Sequence, residues 1–395
     1  MERRVYVVLF IAVFASTMGV GFIGPLLPLY ARDLGAGSLA LGAIFAAYSL
    51  ARVLFMPIIG RLSDRFGRRL FLTTGLAVYT LFSLAYIRAD VTVELIIVRA
   101  LHGAAAGMVI PVAQAYVGEL APKGSEGSSM GKFMISLFAA FGMGPLLGGP
   151  LAERLGMHAP FYAMGIMSAL AFLLALIFLP ELGLHKERWQ QRVPVRFILG
   201  HTAVIALVVF RSSVAFGRGL VVPFLPLYAE SVGATLSMIG VILATNIFVS
   251  AFMQYPFGKL ADRVPRAPLV ALGIIGSAAT IFFIPYCETV LHLFLLQIAT
   301  GITSALGLPA ALAMATGCGR RLNGMGTVMA VFNSGLSVGL VFGSLAGGVF
   351  KEIFGLDFVF QGGSLVVAAG FLAFLLLIRK ARISGELDCG ETSEF

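Results

Sequence analysis

The chain has 395 residues, of which 59% are hydrophobic and only 12% charged, with a formal net charge of +9. Ordinary soluble domains are about 45–50% apolar, and a chain of this length could not hide the surplus in its own core, so a soluble globular fold is excluded and lipid must solvate most of the surface. The positive charge fits the Lys and Arg of cytoplasmic loops, whereas a nucleic-acid binder would need a basic stripe on a polar surface, which no stretch here supplies.

A helix crossing about 30 Å of hydrocarbon needs roughly 20 apolar residues, and twelve segments meet that demand. Span 1 (5–30) follows "MERR" with an apolar run of about 26 residues. That is too long for a signal-peptide core of roughly 7–15 residues, so the span is expected to be retained. Span 2 (38–59) carries Tyr48 and Arg52 and leads into "GRLSDRFGRR", Gly60 to Arg69, which concentrates one aspartate and four arginines in ten residues. Span 3 (70–88) is uncharged until Arg88. Span 4 (92–117) holds Arg99, His102 and Gln114, with Glu119 just past its end. Span 5 (129–152) contains Gly131, Gly144, Pro145, Gly148 and Gly149, and span 6 (160–180) carries no charged residue.

The longest polar connection, "ELGLHKERWQQRVPVR" (Glu181 to Arg196), reads as a cytoplasmic linker. It divides the chain into an N-terminal bundle at 1–180, a linker at 181–200, a C-terminal bundle at 201–380 and a cytoplasmic tail at 381–395. Span 7 (203–228) carries Arg211 and Arg218. Span 8 (236–257) carries Asn246 and ends in "GKLADRVPR", with Gly258, Asp262 and Arg263. Spans 9 (268–287), 10 (290–314), 11 (325–350) and 12 (358–378) add Gln297 in span 10 and Asn333 in span 11. Cys287, Cys318 and Cys389 show no paired spacing, so neither a disulfide framework nor a metal site is indicated.

With an even number of spans both termini lie on one side. That side holds 20 of the 28 basic residues, against four (Arg32, Arg88, Arg154 and Lys351) on the other; Arg52, Arg99, Arg211 and Arg218 lie within spans. Such a bias predicts cytoplasmic termini in the cell membrane.

Shifted by 198 residues, the chain matches itself. "GFIGPLLPLYARDLGA" (Gly21 to Ala36) lies over "GLVVPFLPLYAESVGA" (Gly219 to Ala234), and 16 of 45 positions are identical from Gly21/Gly219 to Arg65/Arg263. Gly103 meets Gly301 at the same offset; one residue later in register, Gly144 and Gly148 meet Gly343 and Gly347. The prediction is an all-α membrane protein with twelve transmembrane helices in two parallel-repeat six-helix bundles, an architecture of secondary transporters.

These stretches resemble the major facilitator superfamily, and within it the twelve-helix drug:proton antiporter branch. "GRLSDRFGRR" matches that family's loop 2–3 signature at Gly60, Asp64, Arg65, Gly67, Arg68 and Arg69. "RALHGAAAGMVIPVAQAYVGELAP" resembles the span 4 signature at Arg99 and Gly103. "GMGPLLGG" resembles the span 5 antiporter signature, preceded by Gly131, with Ala140 in place of one of its glycines. The resemblance implies that spans 1, 4, 7 and 10 line a central cavity. It also implies a gating latch in which Asp64 meets the amino end of span 11 and Arg68 pairs with Glu119. A carboxylate is favoured at a positive helix terminus, and an ion pair can be made in one state and broken in another. The alternative is that these arginines simply obey the positive-inside bias. The second copy has Pro265 and Arg266 where Gly67 and Arg68 stand, which implies a weaker latch there.

An arginine at the bilayer centre costs at least about 2.5–3.5 kcal/mol, so Arg52, Arg99, Arg211 and Arg218 are expected to face protein or a cavity. Together with Tyr48, Gln114, Asn246, Gln297 and Asn333 they are the candidate substrate contacts, though interhelical hydrogen bonding accounts equally for the uncharged ones. No acid lies deep in any span, whereas many drug antiporters carry one in span 1. An arginine-lined cavity would attract an anionic or zwitterionic substrate. His102, three residues after Arg99 on one helical face, is the intramembrane group suited to carry a proton near neutral pH; packing within span 4 is its alternative role. Gly144 and Gly148 permit close helix approach and Pro145 permits a bend.

The expected function is proton-coupled export of a small organic molecule by a monomer without metal or cofactor. A facilitator or symporter of an organic anion is the nearest alternative. An intramembrane enzyme is remote: "GSSMG" (Gly127 to Gly131) satisfies G-x-S-x-G, but no strand precedes it.

Overall fold

The computed structural model describes residues 2–120, 126–180 and 194–386, and every regular element among them is helical. Most of the predicted linker and tail lies outside these residues. Among the described residues eleven helices are long and apolar enough to cross a membrane, and a bent pair makes twelve if it counts as one crossing.

That pair is span 1. It is formed by α1 (Glu2–Ile23) and α2 (Leu27–Asp33), bent by 43°. The break falls at Gly24 and Pro25. Proline removes a helix hydrogen bond and crowds the preceding turn, and a glycine beside it costs about 1 kcal/mol of helix propensity. In the second copy Val222 replaces that glycine, and the helix runs on unbroken through Pro223 and Pro226.

The remaining spans of the first half are α3 (Ser38–Phe66), α4 (Arg68–Ile87), α5 (Thr92–Leu120), α6 (Glu126–Leu155) and α7 (Ala159–Phe178). A single turn, α8 (Val195–Ile198), precedes α9 (Thr202–Ser231), α10 (Leu236–Ala261), α11 (Arg266–Phe282), α12 (Val290–Arg321), α13 (Met325–Phe354) and α14 (Leu356–Ile383). Span 9 runs from Arg266 to Tyr286, but its last turn is not α-helical: α11 stops at Phe282 and gives way to a 3₁₀ turn at Ile284–Tyr286, because Pro285 cannot extend the α ladder.

Between α3 and α4 the chain turns on Gly67 alone, with φ +99°. Only glycine takes that backbone without strain. At the equivalent place Pro265 has φ −54°, and the second turn is spread over residues 262–265. The two charged loops share sequence but not turn geometry.

The chain forms two compact units, one of Met1–Glu187 with Ala229–Ile247, the other of Arg188–Tyr228 with Phe248–Phe395. In the first, Leu9 and Val13 of α1, Leu72, Leu76 and Tyr79 of α4, Ala105 and Val109 of α5, Phe133 of α6 and Ala171 of α7 share one core. Small residues let its backbones touch. A β-carbon on Gly103 would lie 2.2 Å from the Tyr48 carbonyl oxygen, and one on Gly144 would lie 2.5 Å from Gly21 Cα. The second unit repeats the last contact: a β-carbon on Gly219 would lie 3.1 Å from Gly343 Cα.

Candidate functional site

α5 is apolar for most of its length, yet it buries a cation and an imidazole one turn apart. Arg99 is 7% exposed and His102 is fully buried. Their i, i+3 spacing puts both on one face, and Gly103 brings that face against α3, where Tyr48 sits. The Arg99 guanidinium lies 4.3 Å from the Tyr48 ring centroid and 5.2 Å from that of Phe45, a cation–π contact with two rings one turn apart on α3. Its Nε has no hydrogen-bond partner.

His102 sits among tyrosines. Tyr79 meets it edge-on at 4.5 Å and 88°, Tyr48 at 5.5 Å and Tyr86 at 5.8 Å. The Tyr86 hydroxyl is 3.0 Å from His102 Nδ1, while Nε2 has no partner. Tyr86 is itself fixed: its ring stacks on Phe161 of α7, and its carbonyl accepts from the Tyr30 hydroxyl at 3.0 Å. Tyr79 and Tyr86 are seven residues apart on α4, so they share a face. Arg99, His102 and Tyr48 were expected at a common site; Tyr79, Tyr86 and Phe45 were not, although the seven-residue spacing of the two tyrosines was available as a signal.

Among the other candidates, Arg52 is half-buried on α3 beside Tyr79, and Gln114 is half-buried on α5. Asn246 is half-buried and Gln297 buried, and both are engaged by neighbours. In the second unit Arg211 is half-buried on α9, its guanidinium 5.5 Å from the Phe332 ring and its Nε without a hydrogen-bond partner. Arg218 on α9 and Asn333 on α13 are exposed. Among the described residues no carboxylate forms an ion pair with Arg52, Arg99, Arg211 or Arg218.

The latch residues are only partly visible. The side chains of Asp64 and Glu119, and the surroundings of Gly131, lie outside what is described. Arg65 packs over the Phe66 ring at 5.2 Å, and Arg69 donates to the Leu176 carbonyl at 2.6 Å, a cation at the carboxyl end of α7. Arg68 is half-buried and engaged. Asp262 and Arg263 are exposed, and Gly60 and Gly258 face open space. In the antiporter stretch Gly148 abuts the Phe22 carbonyl of α1, Gly149 abuts the Leu236 carbonyl of α10, and the Pro145 carbonyl receives Gly240.

Two polar contacts were not anticipated. Arg32 pairs with both carboxylate oxygens of Glu230, and Glu153 accepts the Ser237 backbone N–H at 3.0 Å, a carboxylate at the amino end of α10. Arg32 and Glu230 are equivalent positions of the two repeats, a relation legible in the sequence.

The sequence profile of the Major Facilitator Superfamily matches residues 9–212 and again 207–388, almost the whole chain in two copies. The chain is 27% identical over 389 residues to the uncharacterized MFS-type transporter MJ1560 of Methanocaldococcus jannaschii, covering 96% of this chain and 99% of that one. It is 27% identical over 379 residues to the multi-drug resistance efflux pump PmrA of Streptococcus pneumoniae, covering 93% and 94%. In three dimensions it resembles the crystal structure of the nucleoside transporter NupG, with a TM-score of 0.77 at 14% identity over 95% of this chain and 99% of the other. Two copies of an apolar helical repeat, a buried arginine without a carboxylate partner among the described residues and a whole-chain profile match converge on one conclusion: the chain belongs to the Major Facilitator Superfamily and is a membrane transporter, not an enzyme.

Proposed function

We propose that this transporter exports small organic molecules by alternating access, driven by protons moving the other way, with the termini in the cytoplasm and one chain as the working unit. The observation that carries this is the buried cluster on α5. A histidine with one unpartnered nitrogen sits one turn from an arginine that has no carboxylate partner among the described residues, in a segment that otherwise crosses lipid. A titratable group placed there at such cost is the natural carrier of a coupling proton. The likeness to a multi-drug efflux pump supports the outward direction of export.

A second reading is favoured by one specific observation. Arg99 and Arg211 each present a guanidinium without a carboxylate partner among the described residues. Buried charge of one sign draws cargo of the other, which supports an organic-anion facilitator or symporter.

Everted vesicles separate the two. Proton-driven export predicts that cargo accumulates inside them only while the proton gradient stands, that adding cargo shifts the internal pH, and that a protonophore abolishes both. Cargo entry that only equilibrates and ignores the protonophore removes proton coupling and leaves the facilitator. Cysteine labelling at residues 4 and 386 is expected to find both from the cytoplasmic side; opposite sides would remove the proposed orientation.

A further inference from the structure

Within the second unit, α9 packs through most of its circumference. The carbonyl oxygens of Ser212 and Phe216 abut Gly339 and Gly343 of α13. Ser213 abuts Gly370 of α14, Phe210 lies against Gly307 of α12, and Gly217 lies against Ile281 of α11. At about 100° per residue these contacts cover an arc of about 160°. Arg211, Val214 and Arg218 fall within about 60° of one another on the side that the arc leaves, the i, i+3, i+7 pattern of a single face. α9 therefore sets two cations on one face with a valine between them.

Arg218 stands about 24 Å along α9 from Thr202, near the middle of the crossing, and it is exposed. Turned toward hydrocarbon at that depth, a guanidinium would be costly. Among the described residues no hydrogen bond or ion pair engages it. The face that carries it is thus wetted or filled by a polar ligand. Arg211 is half-buried, with its guanidinium 5.5 Å from the Phe332 ring and its Nε unpartnered. A guanidinium keeps its charge and can only donate hydrogen bonds, so both groups call for acceptors from outside the described chain.

Seven residues of helix separate the two α-carbons by about 10.5 Å. Long helical side chains lean the same way, toward the amino end, so the two charges keep roughly that spacing. A monoanion seated on Arg211, where it rests against Phe332, would leave Arg218 bare. Two anionic groups with an apolar spacer would pair with both guanidiniums and lay the spacer over half-buried Val214. We infer that this face of α9 holds an organic dianion, one carboxylate or similar group on Arg211 and one on Arg218, each in a charge-assisted hydrogen bond. This rests on the organic-anion reading above and narrows its cargo to dianions with separated charges.

Calorimetric titration of detergent-solubilised full-length protein tests it with four ligands. Azelate carries its two carboxylates at the ends of an apolar chain of about the required length, about 10 Å. Its monomethyl ester has the same length and one charge, its dimethyl ester has none, and malonate is a dianion too short to reach both arginines. Azelate is expected to bind at least about tenfold more tightly than either the monoester or malonate. Arg211→Gln and Arg218→Gln are each expected to bring azelate down to the affinity of the monoester, and to change the monoester by no more than about threefold. The ligand series is read in the wild-type protein, so it decides the matter even where a variant fails to fold. Equal binding of azelate and the monoester, or of azelate and malonate, overturns the proposal, as does a preference for azelate that survives in both variants. If the monoester still outbinds the dimethyl ester in those cases, the organic-anion reading stands without it. A monoester that binds no more tightly than the dimethyl ester overturns both.

Discussion

A β-carbon added to Gly148 would sit 2.3 Å from the Phe22 carbonyl oxygen, backbone that cannot swing aside, whereas one added to Gly60 meets nothing within 4 Å. Overpacking of that kind costs about 1–3 kcal/mol. Gly148→Ala is expected to lower the melting temperature in detergent by several degrees, and Gly60→Ala to leave it unchanged; equal melting of the two would mean that the α1–α6 seam yields. At the same scale, Arg211 stacks on Phe332 without a carboxylate partner among the described residues. If it contacts cargo, Arg211→Met is expected to weaken carboxylate-bearing compounds about tenfold, the worth of a charge-assisted hydrogen bond, and to spare neutral ones. Equal loss for both classes in a binding assay would make its role structural. Arg99 and His102 stand out in the sequence because charge in an apolar run is expensive. Tyr79 and Tyr86 do not, because an aromatic residue in such a run looks like ordinary core, and only the packing of α4 on α5 reveals what they face.

Helix ends show what pattern alone could and could not foresee. Hydropathy located the crossings, because lipid demands a fixed apolar length. It could not see the 43° bend, since Gly24–Pro25 and Val222–Pro223 both sit in long uncharged apolar runs, and what bends the first is the backbone freedom of its glycine. The start of α9 depends on a residue still further away in sequence. Its first backbone N–H groups have no partner within the helix. Glu386 supplies one, accepting from Thr202 at 2.7 Å and Ala203 at 3.4 Å, while Arg321 holds the neighbouring Gly385 carbonyl at 3.2 Å. A carboxylate capping a positive helix end contributes on the order of 1 kcal/mol. Glu386→Ala is therefore expected to speed amide exchange at Thr202 and Ala203 several-fold while exchange in α5 stays as it was. Unaltered exchange at those amides would show that solvent satisfies them as well.

At the scale of the whole molecule, duplication has kept some contacts and inverted one. Tyr30 donates to the Tyr86 carbonyl where α4 ends, and its repeat partner Tyr228 donates to the Pro285 carbonyl at 2.8 Å where the 3₁₀ turn follows α11. Two residues further along, the copies carry opposite charges, Arg32 and Glu230. Instead of each serving its own repeat they bind each other, with Nη2 of Arg32 3.2 Å from Glu230 Oε1 and 3.1 Å from Asp33 Oδ1. Both side chains are about half-exposed, so the pair adds only about 0–1 kcal/mol to stability. A contact so weak in equilibrium terms matters where it is made in one conformation and lost in another. Arg32→Glu sets three carboxylates together at residues 32, 33 and 230. It is expected to change the transport rate several-fold with little effect on melting temperature, and Glu230→Arg is expected to do likewise. Combining the two restores opposite charges but leaves Asp33 beside the carboxylate introduced at position 32, so the double variant is expected to recover most, not all, of the wild-type rate. Transport assays of all four proteins at one expression level decide it: a double variant no faster than either single one would mean that the pairing of the two copies is incidental to the cycle.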